Sequence, residues 1–240
     1  MLIFSSAQAQ NLFVSGSLDG VGGNAGVIYE FTPGGAQSTF AYGLVIPNGL
    51  AFNSAGDLFV TDCGSGTIYK FTPDGTRSTF PSGLSKPYGL AFNSADDLFV
   101  GAGANIYEFT PGGVRSTYVS GLSEPYGLAF NSAGNLFVSD LSGMGGNIYE
   151  FTPGGVRSTF ASGLFSPLGL AFNSAGDLFE ANCLGFGINV FTPDGAQSTF
   201  WNAPGTLFPT AFAFQPVPEP SVLGLLAIGA TALLVRRRRN

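Results

Sequence analysis

Two aspartates at matching places in a repeated pattern are the side chains best suited to chemistry. Asp62 follows Leu-Phe-Val-Thr and Asp140 follows Leu-Phe-Val-Ser, while Asn182 ends the same segment in a later copy. Carboxylate and amide oxygens are the ligands that hard cations such as Ca²⁺ prefer. With tyrosine hydroxyls, the same oxygens also bind sugars. We therefore expect a cation or sugar site if the fold brings these residues together.

The composition excludes several classes of function. The chain of 240 residues has no His, which removes most histidine-based catalysis and most zinc enzymes. Serine catalysis lacks a base for the same reason. Residues 10–220 hold 15 acidic and five basic residues, a net charge of −10, so we expect no nucleic-acid partner. No cofactor is expected apart from calcium.

The chain is built from a repeat that the motif Phe-Thr-Pro marks. The motif starts at spacings of 40, 38, 42 and 40 residues, and a period near 40 is typical of β-propeller blades. Within one unit, residues 89–92, 97–100, 106–109 and 114–118 read as four short strands, called a to d, between Gly- and Pro-rich turns. The five copies of the motif start at Phe31, Phe71, Phe109, Phe151 and Phe191.

The incomplete units at the two ends complement each other. The first unit begins at strand b, residues 11–14, and the last consists of strand a alone, residues 209–214. Pairing the two strands closes a ring without an open edge. The sequence therefore predicts an all-β propeller of five four-stranded antiparallel blades over residues 10–215. The alternative is a chain that has lost an N-terminal segment and a sixth blade with it.

The repeat also has a family resemblance. Residues 47–62 read Pro-x-Gly-Leu-Ala-Phe-Asn-Ser-Ala-Gly-Asp-Leu-Phe-Val-Thr-Asp, which resembles the NHL repeat in all five units, with Phe where that family often has smaller aliphatics. The resemblance implies a propeller and leaves activity open, because the family spans scaffolds, binding domains and a few enzymes. Those enzymes include lyases that use histidine, excluded here, and lactonases with an oxygen-ligated metal at the channel.

The two faces of the predicted propeller differ. The a–b and c–d turns barely change between units and form what we call the uniform face. The b–c loops change in length and content and, with the d–a loops, form the varied face, where a binding surface is expected. The candidate residues at the channel mouth on this face are Asn48, Asp62, Tyr88, Tyr126, Asp140 and Asn182. The alternative is structural: Asp62 and Asp140 accept hydrogen bonds from loop backbone amides.

The two cysteines follow equivalent strand ends in different blades. Cys63 lies in the second blade and Cys183 in the fifth, and these blades are not neighbours. Equivalent positions there are farther apart than the ~7 Å that a disulfide allows. We predict two free thiols.

The N-terminus carries a trace of an export signal. Residues 1–9 end in Ala7-Gln8-Ala9, the small-x-small form of a signal-peptidase site, so they read as the remnant of a secretory signal peptide. An irregular terminus is the alternative.

The C-terminus has three parts in sequence. Residues 216–220 form a Pro-rich linker with Pro218, Glu219 and Pro220, and residues 221–235 carry no charge. As a helix, the uncharged stretch spans roughly 22 Å and would cross a membrane by thinning it. The basic tail, residues 236–240, follows at once with Arg236, Arg237, Arg238 and Arg239. The positive-inside rule places this tail in the cytoplasm.

This order of Pro-Glu-Pro, apolar segment and arginine cluster resembles the PEP-CTERM sorting signal of Gram-negative bacteria. The resemblance implies an exosortase-like membrane protease as partner, a transient stay in the cytoplasmic membrane, and release or attachment at the cell surface or matrix, often with exopolysaccharide. The leading hypothesis is a non-catalytic surface protein that binds glycan or protein. The alternatives are a metal-dependent lactonase-type hydrolase with its metal at the channel mouth, and a propeller that stays anchored in the membrane.

Overall fold

The structure is a computed structural model that describes residues 11–17, 26–32, 36–173, 175–182, 187–202 and 213–214. The described residues form twenty strands in five antiparallel four-stranded sheets, the blades. Blade 1 contains β20 Ala213–Phe214, β1 Leu12–Ser17, β2 Gly26–Phe31 and β3 Gln37–Leu44. Blade 2 contains β4 Pro47–Phe52, β5 Leu58–Asp62, β6 Thr67–Phe71 and β7 Arg77–Phe80.

The other three blades repeat this order of strands. Blade 3 contains β8 Pro87–Phe92, β9 Leu98–Ala102, β10 Asn105–Phe109 and β11 Arg115–Ser120. Blade 4 contains β12 Pro125–Phe130, β13 Leu136–Ser142, β14 Gly145–Phe151 and β15 Arg157–Leu164. Blade 5 contains β16 Pro167–Phe172, β17 Leu178–Asn182, β18 Gly187–Phe191 and β19 Gln197–Asn202. The predicted five-bladed all-β propeller is confirmed.

Short-range turn chemistry fixes each blade's hairpins. In the a–b turn of blade 2, the side-chain oxygen of Asn53 accepts the Asp57 amide at 2.8 Å, and Gly56 adopts φ +82°. In the c–d turn, the Thr72 amide bonds to the Thr76 carbonyl at 3.1 Å and Gly75 adopts φ +83°. Asn side chains favour such turns, and Gly tolerates positive φ without a Cβ clash. Because these turns recur from blade to blade, the face that they form is uniform.

The C-terminal strand closes blade 1 as the sequence predicts. In β20, Phe214 pairs with Leu12 and Ala213 with Phe13 of β1. Residues 209–212 of the predicted closing strand lie outside the described residues. The predictions for residues 1–9, 216–220, 221–235 and 236–240 do so as well, and they stay predictions. The part of the chain that the structure describes contains no candidate membrane-spanning helix.

Phenylalanine fills the wedge between neighbouring blades. Phe59 of blade 2 meets Phe80 of its own blade at 5.7 Å and Phe92 of blade 3 at 4.9 Å, both edge to face. Phe99 and Phe137 make the same pair of contacts one and two blades further on. Blades splay apart away from the axis, so large rings are needed to keep their sheets in contact. This explains Phe where NHL-type repeats often have smaller aliphatics.

Near the axis, glycine is required instead of large side chains, because the inner strands nearly touch. A Cβ on Gly89 would lie 1.8 Å from the Tyr126 carbonyl oxygen, and a Cβ on Gly127 2.1 Å from that of Leu168. A hydroxyl from strand b ties the backbones together: the Thr61 hydroxyl accepts the Gly49 amide at 2.8 Å and donates to the Tyr88 carbonyl of blade 3. The Gly of Gly-Leu-Ala-Phe is therefore required by packing.

Gly127→Ala tests this requirement. Since the added Cβ meets the backbone of blade 5, which cannot rotate away, the free energy of unfolding should fall by about 3 kcal/mol or more. Gly112→Ala is the matched control, because its Cβ has 3.8 Å to its nearest neighbour, the Thr110 hydroxyl. It should change the free energy of unfolding by less than about 1 kcal/mol. Urea denaturation measures both, and equal effects would contradict the axial-crowding explanation.

Candidate functional site at the channel mouth

Backbone amides surround the first candidate ligand, Asp62. Its side chain lies at the end of β5 and is fully buried. One carboxylate oxygen accepts the Val45 amide at 2.9 Å and the other accepts the Ile46 amide at 2.7 Å. Both amides belong to the d–a loop that leads into β4. The carboxylate therefore holds this loop against the end of strand b.

Asp140 repeats the arrangement two blades away. Its carboxylate accepts the Ser123 amide at 2.9 Å and the Glu124 amide at 2.7 Å. This is the structural alternative that the sequence analysis set beside ligand binding, and it is confirmed for both aspartates. A cation at either carboxylate would have to share oxygens that already accept charge-assisted hydrogen bonds.

Two of the predicted mouth residues contact each other directly. Tyr88 and Tyr126 stack with ring centroids 4.6 Å apart at an interplanar angle of 25°. Burial, with a hydrogen bond to Glu124 and the charge of that carboxylate, raises the pKa of Tyr88 above its usual range. The hydroxyl therefore stays protonated and is held by Glu124. The pair forms a half-buried aromatic surface on the varied face.

The other predicted residues are spread along the inner strands. Asn48 is buried, and its carbonyl accepts the Ser15 hydroxyl at 3.0 Å. Asn48 and Tyr126 border an axial cavity of about 20 Å³, which has room for about one water molecule. Asn182 ends β17 opposite Pro167. The described residues include no group of three or more His, Cys, Asp or Glu placed to hold a metal ion. Ligand binding at the mouth stays a prediction.

Cys63 is a free thiol beside this site, as predicted. Burial raises the pKa of the Cys63 thiol; Lys86 opposes this shift, whereas Asp62 and Glu124 add to it. The thiol is therefore a poor nucleophile, since the thiolate is the reactive form. Cys183 lies outside the described residues.

Glu180 is a buried carboxyl group on β17 that the sequence analysis did not single out. Strand b of blades 1 to 4 carries valine at this position, paired with tyrosine on strand c. Blade 5 replaces that pair with Glu180 and Asn189. The Asn189 amide donates to Glu180 Oε2 at 2.8 Å, while Oε1 is buried without a partner. Burial outweighs that hydrogen bond and raises the pKa of Glu180 to about 7.

Comparison with known proteins gives one kind of match for the C-terminal tail and another for the propeller. Residues 216–239 match the PEP-CTERM protein-sorting motif. No curated protein sequence matches the chain. The chain is thus a five-bladed β-propeller that carries a PEP-CTERM sorting motif. The motif implies export and membrane sorting.

Several solved propellers share the fold at low sequence identity. A gluconolactonase from Xanthomonas campestris has a TM-score of 0.66 and 20% identity, over 85% of this chain and 79% of that one. Virginiamycin B lyase from Staphylococcus aureus has a TM-score of 0.56 and 18% identity, over 85% and 74%. A chain of the nidogen–laminin complex has a TM-score of 0.64 and 14% identity, over 87% and 98%. Two are enzymes and one is in a protein complex, so the likeness establishes the fold alone.

The Glu180 carboxyl predicts a pH-dependent stability. Its pKa is near 7 in the folded chain and 4.5 without burial, so the folded state binds the extra proton between these values. The free energy of unfolding should therefore fall as pH rises from about 4.5 to 7, by about 3 kcal/mol from this group. Urea denaturation across this range measures the fall.

Two variants isolate this effect. Glu180→Gln should remove most of the fall. The double variant Glu180→Val with Asn189→Tyr, which restores the pair of the other blades, should remove it and add stability. An unchanged pH profile in both variants would contradict the assignment.

Proposed function

We propose that the protein is an exported, non-catalytic binding propeller, released or attached at the surface of a Gram-negative bacterium. The sorting-motif match at residues 216–239 is the observation that carries the proposal. An apolar helix over residues 221–235 would hold the chain in the cytoplasmic membrane, and the four arginines after it would stop transfer. The prolines on either side of Glu219 would keep the cleavable segment extended for an exosortase-like protease.

The geometry of the channel mouth supports the non-catalytic part of the proposal. The Asp62 and Asp140 carboxylates each accept two or more backbone hydrogen bonds, and the axial cavity has room for about one water molecule. A substrate and an oxygen-ligated metal need more space and more free oxygens. The expected ligand is a glycan, including exopolysaccharide, or a surface protein.

A lactonase-type hydrolase is the second candidate. The gluconolactonase fold and the oxygen-rich mouth at Asp62, Asp140 and Asn48 favour it. It requires calcium or a similar cation at the mouth, with amides displaced from the carboxylates.

Replacing Glu219 tests the sorting step. In the native cell, Glu219→Gln should leave the chain unprocessed in the membrane fraction, because the protease loses the acidic residue between the two prolines. Glu108→Gln on β10 is the control and should be processed and displayed normally. Immunoblots of membrane and surface fractions measure both, and normal processing of Glu219→Gln would contradict the sorting proposal.

Lactone hydrolysis tests the non-catalytic role. The full chain with Ca²⁺ should hydrolyse glucono-1,5-lactone no faster than buffer, and a chelator should leave its melting temperature unchanged. Calcium-dependent turnover that Asp62→Asn and Asp140→Asn abolish would overturn the proposal in favour of the hydrolase.

A further inference from the structure

A large cavity among the described residues lies on the uniform face, away from the channel mouth. It is a groove of about 500 Å³ between blades 4 and 5. Its walls come from the a–b turns of both blades, the outer strands of blade 4 and the c–d turn of blade 5. Small-molecule sites typically measure about 300–1,000 Å³, so the groove has the size of a ligand site.

Two neighbouring grooves on the same face are bridged. Between blades 2 and 3, the backbone amide and hydroxyl of Ser54 both donate to the Asp96 carboxylate. Between blades 3 and 4, the Tyr118 hydroxyl donates to the Thr152 carbonyl at 2.8 Å. Each bridge joins one blade to the next across the groove.

The groove between blades 4 and 5 lacks the residues that make these bridges. Gly176 stands where blade 3 has Asp96, and Phe160 stands where blade 3 has Tyr118. Neither can supply the bridging group, since one has no side chain and the other no hydroxyl. Other copies also carry Gly and Phe at these positions, so the departures from the repeat are Asp96 and Tyr118, which bridge the neighbouring grooves. The groove between blades 4 and 5 keeps the common residues at both positions.

Aromatic rings form the apolar wall of the groove. Phe160 and Phe172 are half-buried and border the open space, with Phe137 buried against both at 5.0 Å. Phe137 stands edge to face with each of the other two rings. They hold one another in place, so the wall is preorganised and would lose little side-chain freedom on binding.

A polar wall faces these rings. The first Asn of the a–b turn donates its side-chain amide to an aspartate in blades 2, 3 and 5. In blade 4 that aspartate is replaced by Asn135, which instead donates to Glu150 at 2.7 Å. Asn131 thus has no carboxylate at the usual position to receive its amide. Asn131, Glu150 and Thr159 all border the groove.

The charge of the groove limits the ligand. Glu150 and Asp194 border it, and none of its lining residues is Lys or Arg. An anionic ligand would meet two carboxylates without a cation to pair with, which is unfavourable. A neutral ligand with one apolar face and many hydroxyls fits both walls, because its C–H face packs on phenylalanine and its hydroxyls bond to amide, carboxylate and threonine oxygen.

We propose that the groove between blades 4 and 5 binds a neutral saccharide. The inference rests on the proposed non-catalytic binding role, and it gives that role a ligand class and a place on the uniform face. Phe160 and Phe172 stack against the sugar ring, and Asn131 and Glu150 orient its hydroxyls.

Closing the groove tests the proposal. The double variant Phe160→Tyr with Gly176→Asp should rebuild both bridges, to the Thr192 carbonyl and to Ser132. The left-handed backbone at Gly176, φ +87°, tolerates aspartate, as Asp96 at φ +61° shows in blade 3. Tyr118→Phe, which removes the bridge of the adjacent groove, is the matched control. A melting temperature of the closed variant equal to or higher than that of the unchanged protein would verify that this variant folds.

The measurement is calorimetric titration of the detergent-solubilised full chain with hexasaccharides of glucose, mannose, galactose and xylose, a hexagalacturonate and hexalysine. At least one neutral hexasaccharide should bind. The closed variant should weaken that binding at least tenfold, and Tyr118→Phe should not weaken it.

Three results would overturn the groove assignment. The first is no binding of any neutral hexasaccharide, and the second is binding of a charged probe alone. The third is neutral binding that survives groove closure but is lost in Tyr126→Ala, which would place the sugar on the varied face. That third result would leave the proposed function intact, whereas calcium-dependent lactone turnover would overturn the function itself.

Discussion

The close approach of the inner strands at the propeller axis is the constraint on which the rest of the structure depends. Gly49, Gly89 and Gly127 bring strand a of blades 2, 3 and 4 within contact of the next blade's backbone, and a Cβ there would meet a carbonyl oxygen at 2.7 Å or less. Strand-b hydroxyls such as Thr61 and Ser139 bond across the same contact. Because the axis is this tight, the blades diverge outward, and phenylalanine fills the widening gap.

The same crowding decides where a ligand has room. Among the described residues, the cavity that the inner strands of blades 2 to 5 border at the axis measures about 20 Å³, and the two mouth aspartates hold loops in place. Space for a ligand of several sugar rings lies farther out, in the groove between blades 4 and 5, which lacks the Asp96 and Tyr118 bridges of two other grooves. That groove keeps the common Phe160 and Gly176, and Asn135 is the departure from the repeat that changes its polar wall.

The blade count, the strand order and the closure between β20 and β1 follow from local signals, namely a 40-residue period, turn residues and complementary incomplete ends. The hydrogen bonds that backbone amides donate to Asp62 and Asp140 could also be predicted, since they were one of two interpretations of these residues. The Glu180–Asn189 pair and the open groove could not, because they depend on cross-strand register and on contacts between blades. Both leave a sequence trace, since Glu180 replaces the valine of the other blades and Asn135 replaces the aspartate of blades 2, 3 and 5.

The sorting motif acts as a linear segment, so the central claim of export followed by tail removal can be tested without knowledge of the ligand. Intact mass spectrometry of the protein exported by its native cell tests it most directly. A mass that corresponds to a chain starting near Gln10 and ending near Pro220 is predicted. A mass that retains Arg236 to Arg239 would contradict the account and indicate a propeller that stays anchored in the membrane.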